Sequence, residues 1–436
     1  MFASALGTRS RAEPTRFVEL SLSFPENCFP EYVWNILYTI ADSTNGESQV
    51  SQELVIRLIR RFQYRDESSI VRAIMWILHR RPNEDWPDDI LSLAEKRALY
   101  SPEPISPKKQ TDFQKSECSS VDSLQNASLN CERGSALHAI AELLWHHRDY
   151  GERFRRIMEA ACHDSDAAVR FAVMSCVPPY YDIDAAFAVE LYEKLLSSDL
   201  RILVTHDSWD ILSRTYEAKR EWYRDKIKKA LASELGDLPE LSAEILCATA
   251  VYMRDDHMMD IVLTHPFTEK QQSKICQTAV RAFAHAEFRE RSERILRRFM
   301  DNPSIELGLE QLFYQEVVSF EHDIPFLTDL MRSTQGARLL HPFLHFLKES
   351  GGKISAYTEI LKAIGADMAS KPDKWRNVDW SNDFIRCVIR LLDESAGDVS
   401  VQTIGLDILD TLFQCCLYNI KPISDLIEDF ASTHND

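Results

Sequence analysis

Between Leu137 and Val177 the sequence repeats one apolar spacing three times. Leu137, Ile140, Ala141, Leu144 and Trp145 fall at i, i+3, i+4, i+7 and i+8. Phe154, Ile157, Met158, Ala161 and Cys162 do so again, and Val169, Ala172, Val173, Cys176 and Val177 a third time, before Pro178-Pro179 stops the run. That spacing lays a single apolar stripe along each helix. Three short helices joined by tight polar turns must therefore pack on one another to hide their stripes. With 12 glycines and 17 prolines in 436 residues, little else in the chain opposes helix. No stretch alternates apolar and polar residues well enough to demand a sheet, so the expected class is all-α.

The sharpest local pattern is "DSDAAVRFAV", Asp164 to Val173. Acidic residues close a turn, Asp166 is placed to cap the next helix, and Val169-Arg170 opens its buried face. This turn resembles the inter-helix turn of HEAT repeats. The resemblance implies that the Asp satisfies orphan N–H groups and that the Arg lies across the neighbouring repeat. "RDESSIVRAIMWIL" (65–78) is a similar stretch with Val71-Arg72, and "AGDVSVQTIGLDILDTL" (396–412) a third, with Gln402 where the Arg would stand. Helices expected at 187–196, 219–232, 241–252, 272–286, 290–300 and 323–332 match less closely and keep no strict period. The expected architecture is an irregular HEAT-like α-solenoid, an α-α superhelix.

Residues 101–130 are rich in Ser, Pro, Lys and Gln and poor in aliphatics, which predicts a flexible polar linker or loop. The expected organisation is a disordered tail over 1–18, helical repeats over 19–100, the linker over 101–130, and a HEAT-like solenoid over 131–436. Shorter breaks are expected at 350–354 and 370–383.

The formal charge of -18 opposes a chain built to neutralise nucleic-acid phosphates along its length. Ten cysteines sit mostly at apolar positions such as Cys162, Cys176 and Cys276, as reduced thiols do in a cytoplasmic protein. Cys415-Cys416 reads as one buried and one exposed thiol, and no CxxC pair predicts structural zinc. The N-terminus lacks the apolar core of a secretory signal, and no run approaches the ~18 apolar residues of a membrane span.

Arg133-Gly134-Ser135 opens a helix after the polar segment, as a phosphate loop would. It lacks the upstream glycine, the following Lys-Ser/Thr and the preceding strand, so helix initiation is the expected role. "GGKIS" at 351–355 has Ile354 where a Mg²⁺-binding hydroxyl belongs. His341 and His345 share a helix face but lack further ligands. Asp255, Asp256, His257 and Asp260 read as an acidic helix-end turn, and His146-His147 as the charged end of a helix. No nucleophile stands beside a base. The chain is expected to be no enzyme and to need no cofactor or metal.

Basic residues cluster in three places. Arg57, Arg60, Arg61 and Arg65 precede Arg72, Arg80 and Arg81. Lys219, Arg220, Arg224, Lys228 and Lys229 surround Trp222-Tyr223. Arg289, Arg291, Arg294, Arg297 and Arg298 form the third group, a candidate interaction face. Basic groups among aromatics can track a nucleic-acid backbone. Each run also carries acids at helix-pairing distance, which favours solvated faces. A protein partner is therefore expected, with nucleic acid as the alternative.

"NCERGSALHAIAELLW", then "DSDAAVRFAVMSCV", then "VQTIGLDILDTLFQCCLYNIKPISDLIEDF" resemble, in that order, the C-terminal helical region of bacterial STAND-type (NACHT-like) NTPases. There an Arg-Gly-small-Ala helix follows a variable polar segment, and a HEAT-like turn and a closing helix pair come next. The likeness spans roughly residues 40–436. It implies the sensor or protein-interaction arm of a signalling NTPase, in phage defence, although the NTPase module itself is absent from this chain. No catalytic residue carries over, since the matching region is not the catalytic one.

Overall fold

Asp166 ends the predicted turn, and Ala167–Met174 follows it as a helix. The computed structural model describes residues 2–42, 50–103, 120–302, 308–314, 317–318, 323–349, 354–375 and 381–415. Among these every regular element is a helix and none is a strand. The Lys353 region, Cys416, residues 104–119 of the expected linker and the closing "LYNIKPISDLIEDF" lie outside the described residues.

The chain divides into two compact units, Met1–Ser242 and Ala243–Asp436. In the first, one row of helices runs Pro30–Asp42, Ser68–Arg80, Glu132–His146, Val177–Ile183 and His206–Thr215, each packed on the next. A second row runs Pro14–Ser21, Gln52–Phe62, Asp88–Tyr100 and Gly151–Ala161. Helices from alternate places in the sequence therefore stack side by side, as in an α-solenoid. The second unit repeats the scheme: Asp256–Thr264, Arg289–Phe299, Ile324–Arg332, Thr358–Ser370 and Val399–Gln414 form one row. Gly336–Glu349 and Ser381–Glu394 pack alongside as another. Each row buries the predicted stripes, with Leu137, Ile140, Phe154, Met158, Val169 and Val173 essentially inaccessible.

Four expectations change. Phe2–Ala12 and Pro14–Ser21 are helices packed on Pro30–Asp42 rather than a tail. Their buried face is Gly7, Ser10, Pro14, Val18 and Ser21, in which, among the described residues, Val18 is the one aliphatic side chain and gives too little periodic signal to mark a helix. Val121–Asn130, inside the expected linker, is a helix begun by a Ser120/Ser123 capping box. It seats Val121, Leu124 and Ser128 against Glu132–His146 and Ala167–Met174. Three inward residues suffice because the helix is short and its other face meets water. Trp145 lies at the end of its helix and is 44% exposed, off the buried stripe. Finally, the third helix already ends at Met174. Pro178 and Pro179 sit in the first turn of Val177–Ile183, where a missing N–H costs no hydrogen bond.

Candidate functional site

The turn residues come first, because they set the spacing of the rows. The Asp166 carboxylate accepts from Ala168 N at 2.8 Å, and Asp164 Oδ1 accepts from Asp166 N at 2.8 Å. Arg170 donates to the Asp164 carbonyl at 2.7 Å and reaches Asp199 of the next turn at 3.7 Å. Asp199 also pairs with Arg201 at 2.7 Å. Burial alone would raise the Asp199 carboxyl, but the hydrogen bond and charge of Arg201, with Arg170 beyond, hold it below the usual carboxylate range. Arg133 pairs with Asp164 at 3.2 Å, and Arg72 donates to the Asn130 carbonyl at 2.7 Å, while Val71 and Val169 are buried. These side chains link one turn to the next.

The Arg133-Gly134-Ser135 segment is a helix junction. Gly134 N donates to Cys131 Sγ at 3.3 Å, and Ser135 Oγ donates to the carbonyls of Leu129 and Cys131 at 2.9 and 2.8 Å. A Cβ on Gly134 would lie 1.9 Å from the Ser128 carbonyl oxygen. The glycine is there so that two helix ends can touch.

The third basic group is spread between the neighbours of its own helix. Arg289 grips Asp323 through both carboxylate oxygens, at 2.9 and 2.8 Å. Arg297 binds Asp329 and Glu293, and Arg291 binds Asp256 and the Ala250 carbonyl. Arg298 donates to the carbonyls of Val262 and His265. Arg294 alone of the five is exposed and has no ion-pair partner among the described residues. Several residues of the other basic groups are engaged in a similar way, Arg60 with Asp89, Arg65 with Glu67, Lys219 with Glu193 and Lys229 with Asp225, while Arg80 lies over the Trp76 ring at 4.8 Å.

A feature absent from the sequence reading lies on the first unit. A cleft of about 450 Å³ opens between Pro30–Asp42, Ser68–Arg80 and the Leu129–Ser135 junction. Trp34 and Tyr38, one helical turn apart, stack at 5.4 Å with 27° between their planes, and each is 37% exposed. Ala73, Trp76 and Leu129 complete the apolar lining, Ser69, Asn130 and Ser135 add polar groups, and Arg72 is the one charged residue among the lining residues. The i, i+4 pair Trp34/Tyr38 was the available signal. It was hidden because the same helix also buries Val33, Ile36, Leu37 and Ile40.

Behind Trp76 the cleft is braced by histidines. His79 stacks on the Trp76 ring at 4.5 Å, and its Nδ1 lies 3.4 Å from the His138 carbonyl. His138 Nε2 lies 3.2 Å from Ser128 Oγ. Burial, with the nearby His79, pushes the His138 imidazole down to about 4. An unfolded chain protonates it near 6.5, so between pH ~6.5 and ~4 the unfolded state binds a proton that the folded state refuses. The His138 contribution to stability should therefore be flat above this window and fall by about 3 kcal/mol as pH drops through it. Urea midpoints at pH 7 and 4.5, compared with those of His138→Gln, test this; equal pH slopes for the two proteins would refute it.

A second cleft, of about 360 Å³, lies in the second unit. It brings the predicted pair His341 and His345 near Asp383 and Cys387, with Lys348 and Arg386 at its rim. Among the described residues no three His, Cys, Asp or Glu side chains are placed to hold a metal ion. In the acidic turn, Asp255 caps a helix by accepting from Met258 N, and Asp256 pairs with Arg291.

No family model matches the sequence, and no curated protein matches it. Among solved structures, a crystal structure of importin beta in an ammonium sulfate condition aligns at a TM-score of 0.31 and 12% identity. The alignment covers 94% of this chain and 59% of that protein, so the chain spans less than two thirds of its length. Among the described residues no helix is long and apolar enough to cross a membrane.

Proposed function

We propose that this chain is a non-catalytic protein-interaction scaffold whose first unit docks a partner segment in the Trp34/Tyr38/Trp76 cleft. The observation that supports it most is the placement of these aromatics. Tyr180, Tyr192, Tyr216 and Tyr223 are fully buried in the same unit and Tyr64 and Tyr100 are exposed away from the cleft, whereas Trp34 and Tyr38 are partly exposed as a stacked pair at a concave site. Tryptophan, tyrosine and arginine carry most of the binding energy at protein interfaces. The nucleic-acid reading loses its means, since four of the five arginines in its best cluster already hold carboxylates or carbonyls of this chain. The motif order shared with the helical region of STAND-type NTPases supports a finer version, in which the partner is such an NTPase or a protein it senses.

Trp34→Ala should weaken capture of a partner by about tenfold or more while leaving the melting temperature of this chain nearly unchanged, whereas Trp76→Ala, which also loses the His79 stack, should lower both. Duplex DNA at physiological salt should show no saturable binding. Tight duplex binding that weakens steeply with salt and is lost in Arg294→Glu would replace the scaffold reading with the nucleic-acid one. Partner capture indifferent to both tryptophans would remove the cleft from it.

A further inference from the structure

We infer that the cleft of about 360 Å³ in the second unit binds a phosphate monoester group. One face of each of two helices walls it. Gly336–Glu349 contributes His341, His345 and Lys348, spaced i, i+4 and i+7, and Ser381–Glu394 contributes Asp383, Arg386 and Arg390, spaced i, i+3 and i+7. Leu344, Ile354 and Cys387 are the buried part of the lining. This site lies wholly within the second unit and does not depend on the Trp34/Tyr38/Trp76 cleft of the first.

The charge on this lining departs from the rest of the chain. The protein carries a formal charge of -18, and the basic run at 289–298 holds the chain's own carboxylates, as Arg289 does Asp323 and Arg297 does Asp329. Here the cations are less engaged. Lys348 is exposed and has no ion-pair partner among the described residues. Arg386 is 67% exposed, and Asp383, the one carboxylate on the lining, lies 4.0 Å from it, beyond hydrogen-bonding reach. Arg390 donates to Glu394 at 2.7 Å and is the one cation of the three held at that distance. The His341 and His345 rings are exposed, and the Tyr314 ring meets His345 edge-on at 6.0 Å.

Three ligand chemistries can be set against this arrangement. A cation would meet one carboxylate among three like charges. A carboxylate brings one charge and two oxygens in one plane, which the Arg386 fork alone can satisfy, leaving the Lys348 ammonium and the imidazoles of the facing helix unanswered. A phosphate monoester brings close to two charges and three terminal oxygens directed tetrahedrally, so it can accept from both helices at once. The volume also suits a small group rather than a folded segment, since ligand sites begin at about 300 Å³. Asp383 opposes any anion here, and removing it should therefore strengthen binding.

The test uses the full chain and fluorescence anisotropy of a fluorescein-labelled glycine-serine peptide carrying one phosphoserine, with unphosphorylated and glutamate twins as controls. The phosphopeptide should bind saturably, the unphosphorylated twin should not, and the glutamate twin should bind about tenfold more weakly. Lys348→Gln and Arg386→Gln should each weaken phosphopeptide binding by about fivefold or more, with unchanged melts because both side chains are exposed. Asp383→Asn should tighten it by about two- to fivefold, a gain that a merely disturbed fold would not produce. Inorganic phosphate added as competitor separates the two sources of the group. Displacement at concentrations similar to the peptide's own dissociation constant makes the ligand a free phosphate, and displacement only far above it makes the ligand a phosphorylated chain; both keep the site. Absence of saturable binding by phosphopeptide and inorganic phosphate alike would overturn the inference. So would a glutamate twin that bound as tightly, or an affinity indifferent to Lys348, Arg386 and Asp383.

Discussion

Gly134→Ala should destabilise the first unit by about 3 kcal/mol or more, the reverse of what this substitution does in an ordinary helix. Inside a helix, replacing glycine with alanine gains up to ~1 kcal/mol by restricting the unfolded chain. Gly134 occupies the first turn of Glu132–His146, so propensity alone predicts that gain. Its surroundings forbid it. The new methyl carbon would lie 1.9 Å from the Ser128 carbonyl oxygen and 2.8 Å from Cys131 Sγ, and the first of these is backbone that no rotamer change can move. Relief requires Val121–Asn130 and Glu132–His146 to separate. Separation would stretch the two bonds from Ser135 Oγ and the Gly134 N–H bond to Cys131 Sγ. Leu129, Asn130 and Ser135 also line the aromatic cleft, so partner binding should fall along with stability. Urea unfolding followed by circular dichroism measures the first effect. A midpoint equal to or above that of the parent would show that the junction is looser than described.

The residues that form this junction show what the sequence could and could not reveal. The apolar stripes at 137–144, 154–161 and 169–173 were legible, because each side chain meets the core at the helix's own period and local spacing alone fixes which face turns inward. Asp166 as a cap and Arg170 as a tie to the next turn were legible as well, since both act within a few residues or across one repeat. The helix over Val121–Asn130 was not, because its stability comes from contacts to Glu132–His146 and Ala167–Met174 rather than from its own composition. The basic run at 289–298 shows a related limit of local sequence. A run of arginines reads as a face toward solvent, but their partners, Asp256, Asp323 and Asp329, lie more than thirty residues away and come close only when the rows stack. The Trp34/Tyr38/Trp76 cleft is the same case: its walls come from three separate segments, and no local pattern joins them.

Val169→Asp should cost at least 4 kcal/mol, enough to unfold the first unit if its stability is ordinary for a domain. Val169 is fully inaccessible, as are Ala172 and Val173 beside it, and it begins the buried face of the helix that Asp166 caps. Its nearest basic neighbour in sequence, Arg170, is turned to the Asp164 carbonyl and to Asp199. A carboxylate at position 169 would therefore be dehydrated without a counter-charge, and such a group costs far more than the methyls it replaces. Val169→Ala separates the two contributions. It removes methyls without adding charge and should cost only about 1–2 kcal/mol. The sign of the pH dependence distinguishes a buried charge from simple misfit. The buried carboxyl holds its proton more tightly than the same group in the unfolded chain, so the gap in stability between Val169→Asp and the parent should narrow as pH falls. Thermal melts of the three proteins at pH 7 and pH 5 give all of these quantities. If Val169→Asp melted with the parent, position 169 would face water and the repeat turn assigned to Asp164–Arg170 would be wrong.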